Sequence, residues 1–393
     1  MASSSANIDN DDEPDDAPSG ATNTRQVRLE VSSQVLAVCG EWMCVAGKRV
    51  HLVRLADRAE FPLPIACTSV GFDAAGTRLL VGADDKQVLL YDTLPPGDTP
   101  PRKWTAGKKV GCVAFSPDGL FALWSDLFGE CYSVALSEAD ATPQLVLGHL
   151  SPVSHLIFSS NGSALLTADR EGHIRSSHWP HAFVIECYYL WHSTPLSLVL
   201  PLKSCPLVLS ATSEGKEICV WKAHSGALLD RVAASTCINP PKMELESVFD
   251  NPQCSLTLSI ACACEIVSQS LVAFAYPTGI AFCKIEYDSD ASTAKLLEKE
   301  GPRRINNFDS NWGDLAAMAH SAESRVLCAL TKGKIPDAFT GTSSTEILLF
   351  PELDFTYHPA GFGFDEAAAK VVRLLEEPSQ NPQAAGEEAM AIS

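Results

Sequence analysis

Nowhere in the 393 residues is there an unbroken apolar run of about eighteen, the length a membrane-crossing helix needs, so no membrane span is expected. The opening residues Met1-Ala2-Ser3-Ser4-Ser5 lack the basic and apolar blocks of a secretory signal. Basic residues are also scarce, with 29 lysines and arginines against 48 aspartates and glutamates and a formal net charge of −19. Holding nucleic acid requires clustered cations against phosphates. That balance therefore argues against a protein that holds nucleic acid mainly by itself. Enzyme signatures are missing as well. The chain has no Gly-rich phosphate loop, no methyl-donor motif at a strand-to-helix turn and no metal-spaced histidine cluster. Neither catalysis nor a cofactor is expected of it, and an enzyme working in the centre of the fold is the weakest reading.

What the chain does have is apolar content and repetition. With 46% hydrophobic residues it can bury a large core. Its fourteen cysteines, without a signal peptide, read as reduced thiols of the cytosol or nucleus. Cys254, Cys262 and Cys264 lack zinc spacing and sit in a strand-like stretch, so they read as buried thiols. Phe72, Phe115 and Phe158 recur every 43 residues, as do the turn glycines Gly76, Gly119 and Gly162. Gly129, Gly172 and Gly215 repeat at the same interval, and so do His149 and His192. A period of about 40 to 45 is that of WD repeats. The expected fold is therefore an all-β, WD-repeat β-propeller of about seven blades. In each unit an alternating strand meets a turn such as Ser116-Pro117-Asp118-Gly119, and then come an apolar strand, a Gly hairpin and a third strand.

Three regions follow. Residues 1–26, with the run Asp9 to Asp16, read as a disordered acidic tail. Residues 27–355 read as the propeller, and 356–393 as a short helix (Phe364 to Glu377) and a disordered tail. Residues 288–304 and 333–345 read as polar insertions between strands.

One stretch departs from a generic blade. Gly148, His149 and Ser151 open it, Thr167-Ala168-Asp169-Arg170-Glu171-Gly172-His173-Ile174-Arg175 forms a heavily charged hairpin, and His178-Trp179-Pro180 closes it. A structural hairpin needs only a glycine and one turn-forming polar residue. This ordered string resembles the non-catalytic WD-repeat subunit of the eukaryotic tRNA (guanine-N7)-methyltransferase. The resemblance continues more loosely over about residues 35 to 350.

The resemblance implies a scaffold that binds and stabilises a catalytic methyltransferase subunit as a heterodimer. tRNA would be reached indirectly through the complex, S-adenosylmethionine would belong to the partner, and the location would be the nucleus, with the cytoplasm as a second site. It also implies that Arg175, a basic position of the motif, forms an ion pair with the partner, a task suited to a planar guanidinium. Arg170 and Glu171 flank it as further docking candidates. Solvation, or pairing with Asp169 and Glu171, is the plain alternative for both arginines. A second family pattern appears as Ser125-Asp126-Leu127-Phe128-Gly129-Glu130-Cys131-Tyr132, with Leu127 where the family has lysine. Docking here would then use the apolar pair Leu127 and Phe128. The family's basic tail is replaced by the neutral-to-acidic NPQAAGEEAMAIS. Arg102, Lys103, Lys108 and Lys109, around Trp104, form one basic cluster that reads either as a phosphate contact or as a solvated inter-blade loop. His149, His192, Asp126 and Asp169 read as braces of the turns. The rival reading of the whole chain is a general WD-repeat adaptor, such as a ubiquitin-ligase substrate receptor, since fold alone does not give function.

Overall fold

The computed structural model describes residues 36–57, 59–212, 217–233, 260, 262–267, 271–276, 279–289, 293–297, 304–306, 314–321, 326–332, 345–351 and 370–374. The acidic tail, Cys254, Gly215, Arg303 and most of the stretch 333–345 lie outside them. Among the described residues there is no α-helix, and the strands form seven antiparallel sheets.

The first sheet holds β1 (Leu36–Cys39), β2 (Trp42–Val45), β3 (Val50–Arg54) and β4 (Glu60–Leu63). The second holds β5 (Cys67–Phe72), β6 (Leu79–Ala83), β7 (Gln87–Tyr91) and β8 (Arg102–Thr105), and the third β9 (Val110–Phe115), β10 (Phe121–Asp126), β11 (Glu130–Ala135) and β12 (Gln144–Gly148). The fourth holds β13 (Val153–Phe158), β14 (Ala164–Asp169), β15 (Ile174–His178) and β16 (Ile185–Tyr189). The fifth holds β17 (Leu196–Pro201), β18 (Leu207–Thr212), β19 (Glu217–Lys222) and β20 (Leu228–Ala233). The sixth holds β21 (Cys262–Ile266), β22 (Leu271–Tyr276), β23 (Gly279–Asp288), β24 (Thr293–Leu297) and β25 (Arg304–Asn306), and the last β26 (Asp314–Ser321), β27 (Val326–Lys332), β28 (Thr345–Pro351) and β29 (Lys370–Leu374).

The first strand of each sheet is the innermost. β1, β5, β9, β13, β17, β21 and β26 lie side by side in succession, and β26 returns to lie beside β1. That closed succession is the ring of a β-propeller, which leaves only short outer edges. Period-two alternation supplies both faces of each sheet. In β10, Ala122 and Trp124 pack toward the second sheet with Leu80 and Leu90, while Leu123 packs toward the fourth with Leu156 and Leu165. Leu123, Leu80 and Leu165 are fully buried, each contributing roughly 1.5–3 kcal/mol of transfer free energy. The 43-residue markers are structurally equivalent. Phe72, Phe115 and Phe158 each end an inner strand, and Gly76, Gly119 and Gly162 take φ of 65°, 67° and 72° in the turns that follow.

Two expectations are corrected. Within Phe364 to Glu377, Lys370–Leu374 is strand β29, paired with β28 in the last sheet, and not helix. Its Val371 and Leu374 suit a helical stripe, but backbone pairing along β28 decides the conformation. Within 288–304, Thr293–Leu297 is the fourth strand of the sixth sheet and Arg304 opens β25, so that stretch is not wholly an insertion. Burial pushes the thiols of Cys112 and Cys219 up to about 12. Such thiols are poor nucleophiles and poor ligands. Among the described residues no group of His, Cys, Asp or Glu is placed to hold a metal ion.

Candidate partner-docking site

Because strands alternate in direction, the hairpins joining second to third strands share one end of the ring with the connections between sheets. Backbone hydrogen bonds confirm this. The Leu127 N–H donates to Lys109 O at 3.0 Å, His149 N–H to Gly129 O at 2.9 Å and Arg170 N–H to Pro152 O at 3.1 Å. Gly129 and Gly172 sit in the two hairpins at φ of 88° and 89°, where a side chain would collide with backbone oxygens of Ser151 and Thr194 respectively. Hairpin and connection are thus pressed together, and only glycine permits the approach.

The carboxylates of Asp126 and Asp169 organise these hairpins. Asp126 Oδ1 accepts from the backbone N–H of Phe128 at 2.8 Å and of Glu130 at 3.2 Å. Asp169 Oδ1 accepts from Glu171 N–H at 3.0 Å and His173 N–H at 3.1 Å. Its Oδ2 lies 3.3 Å from Nδ1 of both His149 and His173. Burial pushes this carboxyl up, but the contact with His149 and the two backbone N–H groups outweigh it and hold it below its ordinary value. His149 Nε2 then meets Thr167 Oγ1 at 2.7 Å, and His192 Nε2 meets Ser210 Oγ at 2.7 Å, where the Trp221 indole N–H also donates. These histidines and aspartates brace the turns, as their sequence context implies.

The braced frame presents a continuous arc. Leu127 is 42% and Phe128 63% exposed, with Lys108 Nζ 4.5 Å from the Phe128 ring centroid. Next to that hairpin stands Leu150, fully exposed, and beyond it come the exposed Arg170 and Glu171. The Gly172 turn abuts His192, which follows the exposed Leu190 and Trp191. Leu150, Leu190 and Trp191 were not singled out by sequence reasoning. An isolated apolar residue reads as core, and only the fold shows these three outside it.

Arg175 behaves otherwise than a surface charge. It pairs in register with Thr167 and Tyr188 and is buried. Its Nε donates to Ser177 Oγ at 3.1 Å and its Nη1 to Gly148 O at 3.2 Å, and no carboxylate among the described residues lies within ion-pair distance. Ile174 is also buried, facing the fifth sheet. The alternative of a solvated Arg175, or of one paired with Asp169 or Glu171, does not hold.

The basic cluster is dispersed. Arg102 holds Asp92 through two bonds of 3.1 Å and donates to Leu136 O at 3.0 Å. Lys109 pairs with Asp84 at 3.1 Å, and Trp104 is a buried ring stacked on Trp124. Arg102 and Lys103 belong to strand β8 rather than to a loop, and Lys103 is exposed. The structure does not bring the four cations together as one open patch.

Residues 136–269 match the family model described as the tRNA methyltransferase TRM82 WD40 domain. The chain is 25% identical over 209 residues to the tRNA (guanine-N(7)-)-methyltransferase non-catalytic subunit wdr4 of Xenopus laevis, covering 53% of this chain and 51% of that one. It is 31% identical over 147 residues to the non-catalytic subunit wuho of Drosophila pseudoobscura pseudoobscura, covering 37% of each. The non-catalytic subunit TRM82 of Saccharomyces cerevisiae is 29% identical over 174 residues, covering 42% of this chain and 39% of its own. The match thus spans about half or less of the length of these curated relatives. Among solved structures, a chain of the mitotic checkpoint complex superposes with a TM-score of 0.59 at 15% identity, over 84% of this chain and 96% of that one. The Cps50 (Swd1) β-propeller domain of Myceliophteria thermophila gives 0.54 at 11%, over 78% and 92%. These two likenesses establish the propeller fold alone. Residues 136–269, which include the charged hairpin, are thus similar to the TRM82 WD40 domain, and part of the chain is similar to proteins named as non-catalytic subunits of tRNA (guanine-N(7)-)-methyltransferase.

Proposed function

We propose that the chain is a non-catalytic scaffold that binds the catalytic subunit of a tRNA (guanine-N7)-methyltransferase as a heterodimer. The observation that carries this is the hairpin from Thr167 to Arg175. Its ordered string falls inside the family match, and its tip, Arg170 and Glu171, braced by Asp169, is presented on an exposed arc with Leu127 and Phe128. The scaffold acts by binding the active shape of its partner more tightly than the inactive one, since a ligand shifts an equilibrium only by its differential affinity. An interface of about 1,600 Å² in total is sufficient. Arg175, held between Ser177 and Gly148, sets the hairpin against the end of β12, and a partner carboxylate would reach only the guanidinium donors that these two bonds leave over. S-adenosylmethionine belongs to the partner, and tRNA is reached through the complex. The engagement of Arg102 by Asp92 and of Lys109 by Asp84 supports that indirect role. The working location is the nucleus, with a cytoplasmic pool.

The test is a pull-down of the tagged full chain from its native extract, with partners identified by mass and the extract fractionated into nucleus and cytoplasm. A methyltransferase subunit at equal stoichiometry supports the scaffold. Recovery of ligase components without it would place the chain among general adaptors.

A further inference from the structure

The arc does not stop at the fourth sheet. Trp191 lies in the connection from β16 to β17 and is 47% exposed, yet its ring is fixed. The indole N–H donates to Glu217 Oε2 at 3.2 Å. The Arg231 guanidinium lies over the ring at 4.1 Å from its centroid and pairs with the same carboxylate at 3.8 Å. An exposed tryptophan normally gains nothing from being held still in water. Held still, it can be covered with little further loss of conformational freedom, the property of a binding hot spot. Leu190 beside it is 62% exposed and Leu150, across the Gly172 hairpin, is fully exposed.

We propose that Trp191, with Leu190 and Leu150, is the apolar anchor of the docking surface, extending it from the hairpin onto the fifth sheet. This rests on the scaffold reading above and commits to one occupant, the catalytic methyltransferase subunit. Charge complementarity argues for that occupant. Beside the anchor stands Glu171, 66% exposed, while Glu217 is paired with Arg231, and the chain as a whole carries a net charge of −19. A field of that sign fits a partner with an apolar centre and a basic border. An enzyme that must hold tRNA phosphates carries basic surface, whereas an acidic partner would be repelled.

The experiment measures binding of the full chain to the purified catalytic subunit from the same organism, for wild type, Trp191→Ala, Leu190→Asp and, as a control at the opposite end of the ring, Phe183→Ala. Phe183 is 75% exposed and lies in the connection after β15. Trp191→Ala is expected to weaken binding about 30-fold or more, Leu190→Asp similarly, and Phe183→Ala not at all. Should Trp191→Ala fail to fold by circular dichroism, Leu190→Asp decides, because that side chain is largely in solvent. Wild-type binding that both arc variants leave intact overturns the anchor and spares the scaffold. Absence of wild-type binding instead removes the scaffold reading on which the anchor depends.

Discussion

At Arg175 the geometry changes what substitution should do. An arginine that is only 9% exposed and donates to Ser177 and Gly148 links its own strand to the end of β12 in the neighbouring sheet. Charge-assisted hydrogen bonds of this kind contribute about 1.5–3 kcal/mol. Arg175→Ala is therefore expected to cost about 2 kcal/mol in urea unfolding, and Arg175→Glu more, since it turns a carboxylate toward the carbonyl of Gly148. The sequence alone suggests that Arg175→Glu breaks the complex while leaving the propeller intact; the burial predicts both effects together. Unchanged unfolding midpoints for both variants would remove the structural role. His155 offers a second residue-scale test. Burial lowers its pKa to about 4, with the Ser197 backbone opposing the shift only in part. Unfolded, it would bind its proton near its ordinary value of about 6.5. Between those values the unfolded chain holds more protons, so stability is full above about 6.5 and falls as the pH drops toward 4. The loss is up to on the order of 3 kcal/mol. Urea unfolding at about pH 7 and about pH 5 should show the slope, and His155→Asn should flatten it. An equal slope in the variant would assign the effect to other groups.

The hairpins are the elements on which the docking arc stands, and their glycines are their most sensitive points. At Gly172, φ is +89° and an added Cβ would lie 2.7 Å from Thr194 O. Left-handed backbone at a non-glycine residue costs about 1–3 kcal/mol before any clash. Gly172→Ala should lower stability by at least about 2 kcal/mol and weaken partner binding. Gly107→Ala, with nothing within 4 Å of the added carbon, should be near neutral. A thermal melt of the two variants compares them directly, and equal melting temperatures would refute the constraint. These hairpins were legible in the sequence because turn chemistry is local. The 43-residue spacing of glycines and phenylalanines needs no knowledge of distant contacts. The outermost strands were less legible. Arg102–Thr105, Gln144–Gly148 and Lys370–Leu374 are short, half-exposed or basic, and they become strands because a neighbour's backbone offers hydrogen bonds. For the same reason a helical reading of Val371 and Leu374 fails, and Arg102 turns from a loop cation into a clamp on Asp92. The exposed Leu150 and Trp191 were invisible for the converse reason: composition cannot tell an apolar side chain left outside from one packed within.

Across the whole molecule the governing quantity is charge. Electrostatic steering and non-specific binding follow the summed field more than any single contact. With 48 acidic against 29 basic residues, the field opposes a polyanion. The cation cluster around Trp104 does not offset it, because Arg102 is neutralised by Asp92 and Lys109 by Asp84. The isolated chain is therefore expected to bind tRNA only weakly at physiological salt, with little change when Lys103 and Lys108 are replaced by alanine. Each true phosphate contact would instead steepen the dependence of log K on log salt by roughly 0.7–0.9. Filter binding of tRNA across a salt series, with the chain alone and with the catalytic subunit added, separates the cases. A steep slope that appears only with the catalytic subunit places the phosphate contacts on the partner. If the slope of the complex falls by about one for each cation removed from this chain, then Lys103 and Lys108 reach the tRNA once the partner has brought it near, and the scaffold contributes to substrate binding after all. Tight binding by the chain alone would mean that a local basic surface overrides a net charge of −19, and the indirect role proposed for tRNA would fall with it.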